Sequence, residues 1–199
     1  MRILIFWDSI TEWYFDMLMW WWANMLKVEL MTLDYYYEVA NLWISWDDVN
    51  DILKRIEFTV NTYTNKYNDD LCIIFQVWIN DTAIMWLSNE LYTINDFEDN
   101  LKKLINVSKK LTDNVFFMWI TKVNQDLVSP LLNSKRGISY NNSRIKLFNN
   151  VIKNNVLSNW FKYIEMFDLL DYTDLFDWLH PNTTGHTKIY NKVKYELNL

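Results

Sequence analysis

Short apolar runs alternate with amphipathic segments along nearly the whole chain, and this alternation limits the fold more than any other feature. Ile3–Phe6, Tyr35–Ala40, Leu71–Val77, Val115–Met118 and Tyr163–Phe167 read as buried strands. Between and after them the apolar positions recur at helical spacing. Val49, Ile52, Leu53 and Ile56 share one face, as do Ile94, Phe97, Leu101, Leu104, Ile105 and Leu111. Ile145, Phe148, Ile152 and Val156 make a third face, and Ile189, Val193 and Leu197 a fourth. Thr93 and Asp96 have the spacing of a capping box ahead of the second of these helices. Strands that alternate with helices pair in parallel through right-handed crossovers, and the helices cover both faces of the sheet. The expected fold is α/β, a three-layer α/β/α sandwich on a five-stranded parallel sheet. It is expected to form one domain over residues 1–199, since no linker, repeat or low-complexity tract interrupts the chain. Ser129–Asn142, with a proline, a glycine and polar residues, reads as an irregular loop or lid.

In such sheets ligands bind beyond the carboxyl ends of the strands. Ser9 follows the first expected strand, Trp46 the second and Asn80 the third, and Asp177–His180 follows the fifth. Ser9 by itself is an ordinary helix cap. A serine hydroxyl becomes a nucleophile when a base takes its proton, and the chain offers His180 and His186 alone for that task. Asp177 lies three residues before His180, close enough to hold one ring nitrogen and leave the other for Ser9. His180 also reads as a surface histidine ahead of Pro181, where the last helix opens. His186 reads as structural. Asn80 has a simpler reading as a helix cap or Asx turn.

Composition narrows the chemistry. A net charge of -6 argues against nucleic-acid binding, which calls for a basic patch. The one cysteine, Cys72, sits in an apolar run and reads as an inert core thiol. No metal-ligand spacing is visible and no cofactor is implied. The opening run Ile3-Leu4-Ile5-Phe6 is too short for a signal peptide and no stretch is long enough for a membrane span, so a cytoplasmic location is expected. The oligomeric state is left open.

The glycine content is abnormal. Ordinary usage is about 7% glycine, or roughly 14 residues in a chain of this length. The chain has 2 glycines and 12 tryptophans. The tryptophans stand where glycine belongs. Reading Trp7, Trp13 and Trp178 as glycine turns Phe6-Trp7-Asp8-Ser9-Ile10-Thr11-Glu12-Trp13 into FGDSITEG, and Asp177-Trp178-Leu179-His180-Pro181 into DGLHP. In the same way Asn41–Asp47, with Trp43 and Trp46, becomes NLGISGD, and Val77–Asp81, with Trp78, becomes VGIND. Trp119 ends an apolar run where a strand should turn, and Trp20-Trp21-Trp22 becomes a Gly-Gly-Gly loop before a helix. Glycine marks positive φ or close backbone approach, and an indole supplies neither. The expectation is a gene that reads UGA as glycine, here rendered as tryptophan.

With that reading the four blocks resemble, in order and spacing, those of the SGNH, or GDSL, hydrolases. The chain order is Ser, Asp, His, and the absence of a GxSxG elbow argues against an α/β-hydrolase proper. The resemblance implies a flavodoxin-like sandwich and a Ser9–His180–Asp177 triad. It also implies an oxyanion hole made by the backbone N–H of Ser9, the backbone N–H at position 46 and the side-chain amide of Asn80. At position 46 the chain departs from the family, because Trp46 keeps an N–H but brings an indole that crowds the acyl group. Members of the family are esterases, lipases, thioesterases or carbohydrate deacetylases. The resemblance thus implies a serine esterase acting on a small-molecule ester through an acyl-enzyme. A carbohydrate O-deacetylase is the alternative within the class. A non-catalytic protein that stacks ligands on exposed indoles is the alternative outside it.

Overall fold

The computed structural model describes residues 1–9, 21–34, 36–64, 70–85, 89–131, 134 and 137–199. Tyr35 of the second expected strand, and Ile10–Trp13 and Trp20 of the opening motifs, lie outside the described residues, as does part of the 129–142 loop.

Five parallel strands form the central sheet: β1 (Arg2–Trp7), β2 (Glu38–Asn41), β3 (Leu71–Gln76), β6 (Val115–Met118) and β7 (Lys162–Ile164). Their order is β2-β1-β3-β6-β7, the flavodoxin-like arrangement, in which the chain reverses direction across the sheet beside β1. A two-stranded antiparallel hairpin, β4 (Ile84–Met85) and β5 (Asn89–Glu90), stands apart from it. Central strands buried on both faces need unbroken apolar runs. Ile3, Leu4, Ile5 and Phe6 of β1 and Cys72, Ile73, Ile74 and Phe75 of β3 are all fully buried.

The helices are α1 (Trp22–Leu33), α2 (Val49–Thr64), α3 (Ile94–Leu111), α4 (Asn142–Ser158) and α5 (Thr183–Leu197). They cover both sides of the sheet; α1 packs on α5, and α3 packs between α2 and α4. The apolar faces read from the sequence point inward: Ile52 and Ile56 of α2, Phe97, Leu101 and Leu104 of α3, Ile145, Phe148 and Ile152 of α4, and Ile189 and Val193 of α5 are buried. The capping box on α3 is present, with Thr93 Oγ1 accepting from the Asp96 N–H and Asp96 accepting from the Thr93 N–H. Among the described residues no helix is long and apolar enough to cross a membrane.

Beyond shifts of a single residue, two strand boundaries differ from the sequence reading. The second strand begins at Glu38 instead of Tyr35, because Tyr37 N–H bonds back to the Asp34 carbonyl in the turn that leaves α1. The last strand stops at Ile164 instead of Phe167, because its partner β6 ends at Met118 in register with Ile164. The loop after β6 is irregular but anchored: Ser139 pairs with Ile84 of the hairpin, and Ser129 Oγ donates to the Tyr140 carbonyl at 2.7 Å. Arg144 of α4 ties the hairpin down through the Thr82 and Tyr92 carbonyls and Glu90.

Candidate active site

The site collects at the carboxyl ends of the strands. Trp7, the last residue of β1, is in register with Gln76, the last of β3. Ser9 and the Trp78–Asn80 turn therefore leave adjacent strands at one level. The loop after β2 runs alongside, with the Ile44 N–H on the Trp7 carbonyl at 3.4 Å.

Ser9, His180 and Asp177 are brought into one hydrogen-bonded chain from opposite ends of the sequence. Ser9 Oγ lies 3.3 Å from His180 Nε2. His180 Nδ1 faces both carboxylate oxygens of Asp177, at 3.0 and 2.9 Å. Local geometry explains why a carboxylate at i−3 reaches the ring. Asp177 Oδ1 also accepts the backbone N–H groups of Leu179 and His180, at 3.3 and 2.8 Å, so it closes an Asx turn around its own histidine. The turn is clamped by the Phe176 N–H on the His180 carbonyl and by the Leu175–Pro181 bridge. Burial pushes the Asp177 carboxyl up, but the His180 hydrogen bond and charge, with the two backbone N–H groups, outweigh it and hold Asp177 below the ordinary carboxylate range. The ionised form that can fix the imidazole is thus the favoured one.

Asn80 opens a single turn of 3-10 helix, Asn80–Thr82, and is buried. Its Nδ2 donates to the Asp47 carbonyl at 2.9 Å, which ties it to the turn bearing Trp46. A primary amide has two N–H donors, so this bond uses one of them. Trp46 is the third residue of a turn closed by the Asp47 N–H on the Ile44 carbonyl. Its indole is exposed.

Sequence reasoning missed the clamp on that turn. Arg55 of α2 donates from Nε and Nη2 to Asp47 Oδ2, at 3.0 and 2.7 Å, and from Nη2 to the Leu42 carbonyl at 2.8 Å. Burial pushes Asp47 up, with Arg55 opposing it. The pair spans eight residues and faces a loop, so no helical spacing announces it. Asp81 closes the Val77–Asp81 block, and the sequence gives it no further role. It is fully buried, and its Oδ1 accepts the Val49 N–H at the start of α2 at 3.3 Å.

His186 is buried in α5 and stands outside this chain of bonds. Burial pushes the Cys72 thiol up to about 12, as for an inert core residue. Among the described residues no group of three His, Cys, Asp or Glu side chains is set to hold a metal ion.

Fold and site together define a class: a flavodoxin-like α/β protein with a serine, a histidine and an aspartate linked at the switch point of the sheet. Solved structures of that fold include the lipase/acylhydrolase from Enterococcus faecalis, 19% identical over 98% of this chain and 94% of that one, with a TM-score of 0.73. An acetylxylan esterase from Geobacillus stearothermophilus is 19% identical over 100% and 94%, with a TM-score of 0.70. A member of the lipolytic G-D-S-L protein family from Veillonella parvula is 16% identical over 98% and 96%, with a TM-score of 0.69. The chain therefore has the SGNH hydrolase fold. No protein-family model and no curated protein sequence matches it.

Proposed function

We propose that the protein is a serine ester hydrolase in which Ser9 is the acyl nucleophile, His180 its base and Asp177 the group that orients the base. The observation that carries this reading is the unbroken chain Ser9 Oγ to His180 Nε2, and His180 Nδ1 to Asp177. In the first half-reaction His180 Nε2 takes the Ser9 proton as Oγ attacks the ester carbonyl. The tetrahedral intermediate collapses, the alcohol leaves with the proton from His180, and the acyl group stays on Ser9. Water then repeats the sequence and frees the acid. The developing oxyanion needs donors. The second N–H of Asn80 Nδ2, the backbone N–H of Ser9 and that of residue 46 are the candidates.

The fold relatives support an ester as the substrate, since they include an acylhydrolase and acetylxylan esterases. The latter favour an acetylated sugar as a second reading. The ligand-stacking alternative loses Trp7, Trp22 and Trp78, whose indoles lie in the core, and is left with the exposed Trp46, Trp160 and Trp178.

Turnover of p-nitrophenyl acetate, with labelling by a serine-reactive phosphonate, tests the proposal. Ser9→Ala should abolish turnover and labelling, His180→Ala should come close, and Asp177→Asn should cost less because the turn still aims the ring. Asn80→Ala should lower kcat by roughly 10²–10³ with little change in KM. A phosphonate on another serine would refute the assignment.

A further inference from the structure

Among the described residues, five that are not glycine have φ in the left-handed region: Trp46 (70°), Trp78 (155°), Trp160 (62°), Trp178 (72°) and Asn198 (57°). Asparagine enters this region more readily than most residues, and Asn198 does so as the C-cap of α5. A bulky side chain there is an outlier. Tryptophan nevertheless fills four of the five places.

Two of these places carry turn signatures of their own. In the turn Ile44–Asp47, Trp46 is the third residue and alone of the central pair has positive φ. That is the type II pattern, whose third position calls for glycine. Trp160 follows α4. Its N–H bonds to the Leu157 carbonyl and the Phe161 N–H to the Val156 carbonyl, both at 3.2 Å. These are the paired bonds of a Schellman cap, whose left-handed residue is usually glycine. Packing does not explain an indole there, because Trp160 is 94% exposed. Nor does a ligand site, since it caps a helix away from the Ser9–His180 turn. Trp178 repeats the case inside the Asp177–His180 turn and is 43% exposed. The two real glycines keep to the same logic: Gly137 has φ of 60°, and a Cβ on Gly185 would come within 2.5 Å of the Asp174 carbonyl oxygen.

We infer that positions 46, 78, 160 and 178 are glycine in the protein as its source organism makes it, and that the sequence as written renders UGA, read there as glycine, as tryptophan. Decoding acts on a codon wherever it occurs, so every one of the 12 tryptophan positions that UGA encodes changes together. Trp21 and Trp119 fit this, since their buried indole nitrogens have no hydrogen-bond partner among the described residues. Trp7, Trp22 and Trp78 have partners in Asn41, Gln76 and the Met118 carbonyl, so their indoles are accommodated in the core. Positions 46, 160 and 178 are exposed, and removing the indole there leaves no cavity. Trp160, at 94% exposed, tests the backbone most directly.

Peptide mass spectrometry of the protein from its source cells reads the residues directly. Glycine at 46, 160 and 178 is expected; tryptophan at any of them, or a UGG codon at position 46, 78, 160 or 178, overturns the inference. Independently, the chain as written can be compared with its Trp46→Gly, Trp160→Gly, Trp178→Gly triple variant by thermal denaturation followed by circular dichroism. The variant's midpoint should rise by about 6 °C or more, and an equal or lower midpoint would show that the backbone does not call for glycine. Where neither chain folds, the peptide masses decide. Neither measurement uses ester turnover, so failure of the hydrolase reading and failure of this inference are distinguishable.

Discussion

Asp81 is a buried carboxyl beside the site whose charge is disfavoured. It is fully buried, its Oδ2 has no hydrogen-bond partner among the described residues, and Asp48 and Asp8 add like charge. Burial first, and those neighbours second, hold its carboxyl well above the ordinary aspartate value of 3.8. The folded chain therefore keeps a proton that the unfolded chain has released. Where the native state binds more protons, stability falls as pH rises. The loss begins near 3.8 and grows until the folded group also ionises. Asp177 has the opposite sign: its carboxyl is depressed, so its contribution is present above 3.8 and is lost as pH falls through its folded value. Asp81→Asn should raise the urea midpoint at pH 7, leave it nearly unchanged at pH 3.5 and flatten the slope between. If the slope is the same in both chains, Asp81 is not the group responsible.

At the level of elements, the site is held by the loops after β1, β2 and β3 and by the turn ahead of α5. The β2 loop has no regular structure of its own, and Arg55 fixes it from α2. The guanidinium lies 5.1 Å over the Phe6 ring, so the head is held by a cation–π contact as well as by its hydrogen bonds. Arg55→Met keeps the stem and removes the fork. The loop then loses its hold on the Leu42 carbonyl and on the Asp47 side chain, next to the carbonyl that fixes Asn80. A misplacement of about 1 Å costs about 10² in rate, so kcat should fall by about that factor while KM changes little. Arg55→Lys should recover only part, because an ammonium lacks the planar fork. If Arg55→Met lowers the melting point but the folded enzyme keeps its kcat, the residue is structural and does not position the site.

The helices with clear periodicity were legible because burial follows spacing directly: the faces of α3 and α4 are both apolar and buried. The Thr93–Asp96 box was legible for the same local reason. The β4–β5 hairpin was not, since strands of two residues carry no period. The Arg55–Asp47 and Arg144–Glu90 ties were also hidden, because only the folded chain brings those charges together. Ser9, Asn80 and the Asp177–His180 turn were visible through their placement after strands, a rule of the fold, and through motifs once tryptophan was read as glycine. The hydrogen-bonded contact between Ser9 and His180 spans 171 positions, and no local pattern encodes it.

That separation has a consequence for the whole molecule. Ser9 follows the fully buried central strand β1, and Asn80 follows its equally buried neighbour β3. His180 is fixed by Asp177, by the Phe176 N–H and by the Leu175–Pro181 bridge ahead of α5, which itself packs on α1. Every group of the proposed catalytic chain thus hangs on the common core and not on a separable flap. Local opening of an active site at low denaturant requires elements with few buried contacts, and β1 and β3, which carry Ser9 and Asn80, are among the most buried elements of the protein. Ester turnover and far-UV circular dichroism should therefore be lost at the same urea concentration, in a single transition. Turnover that fails well before the dichroism would mean that the β2 loop or the Asp177–His180 turn melts first. The Arg55 clamp and the bonds around Asp177 would then be weaker than their geometry implies.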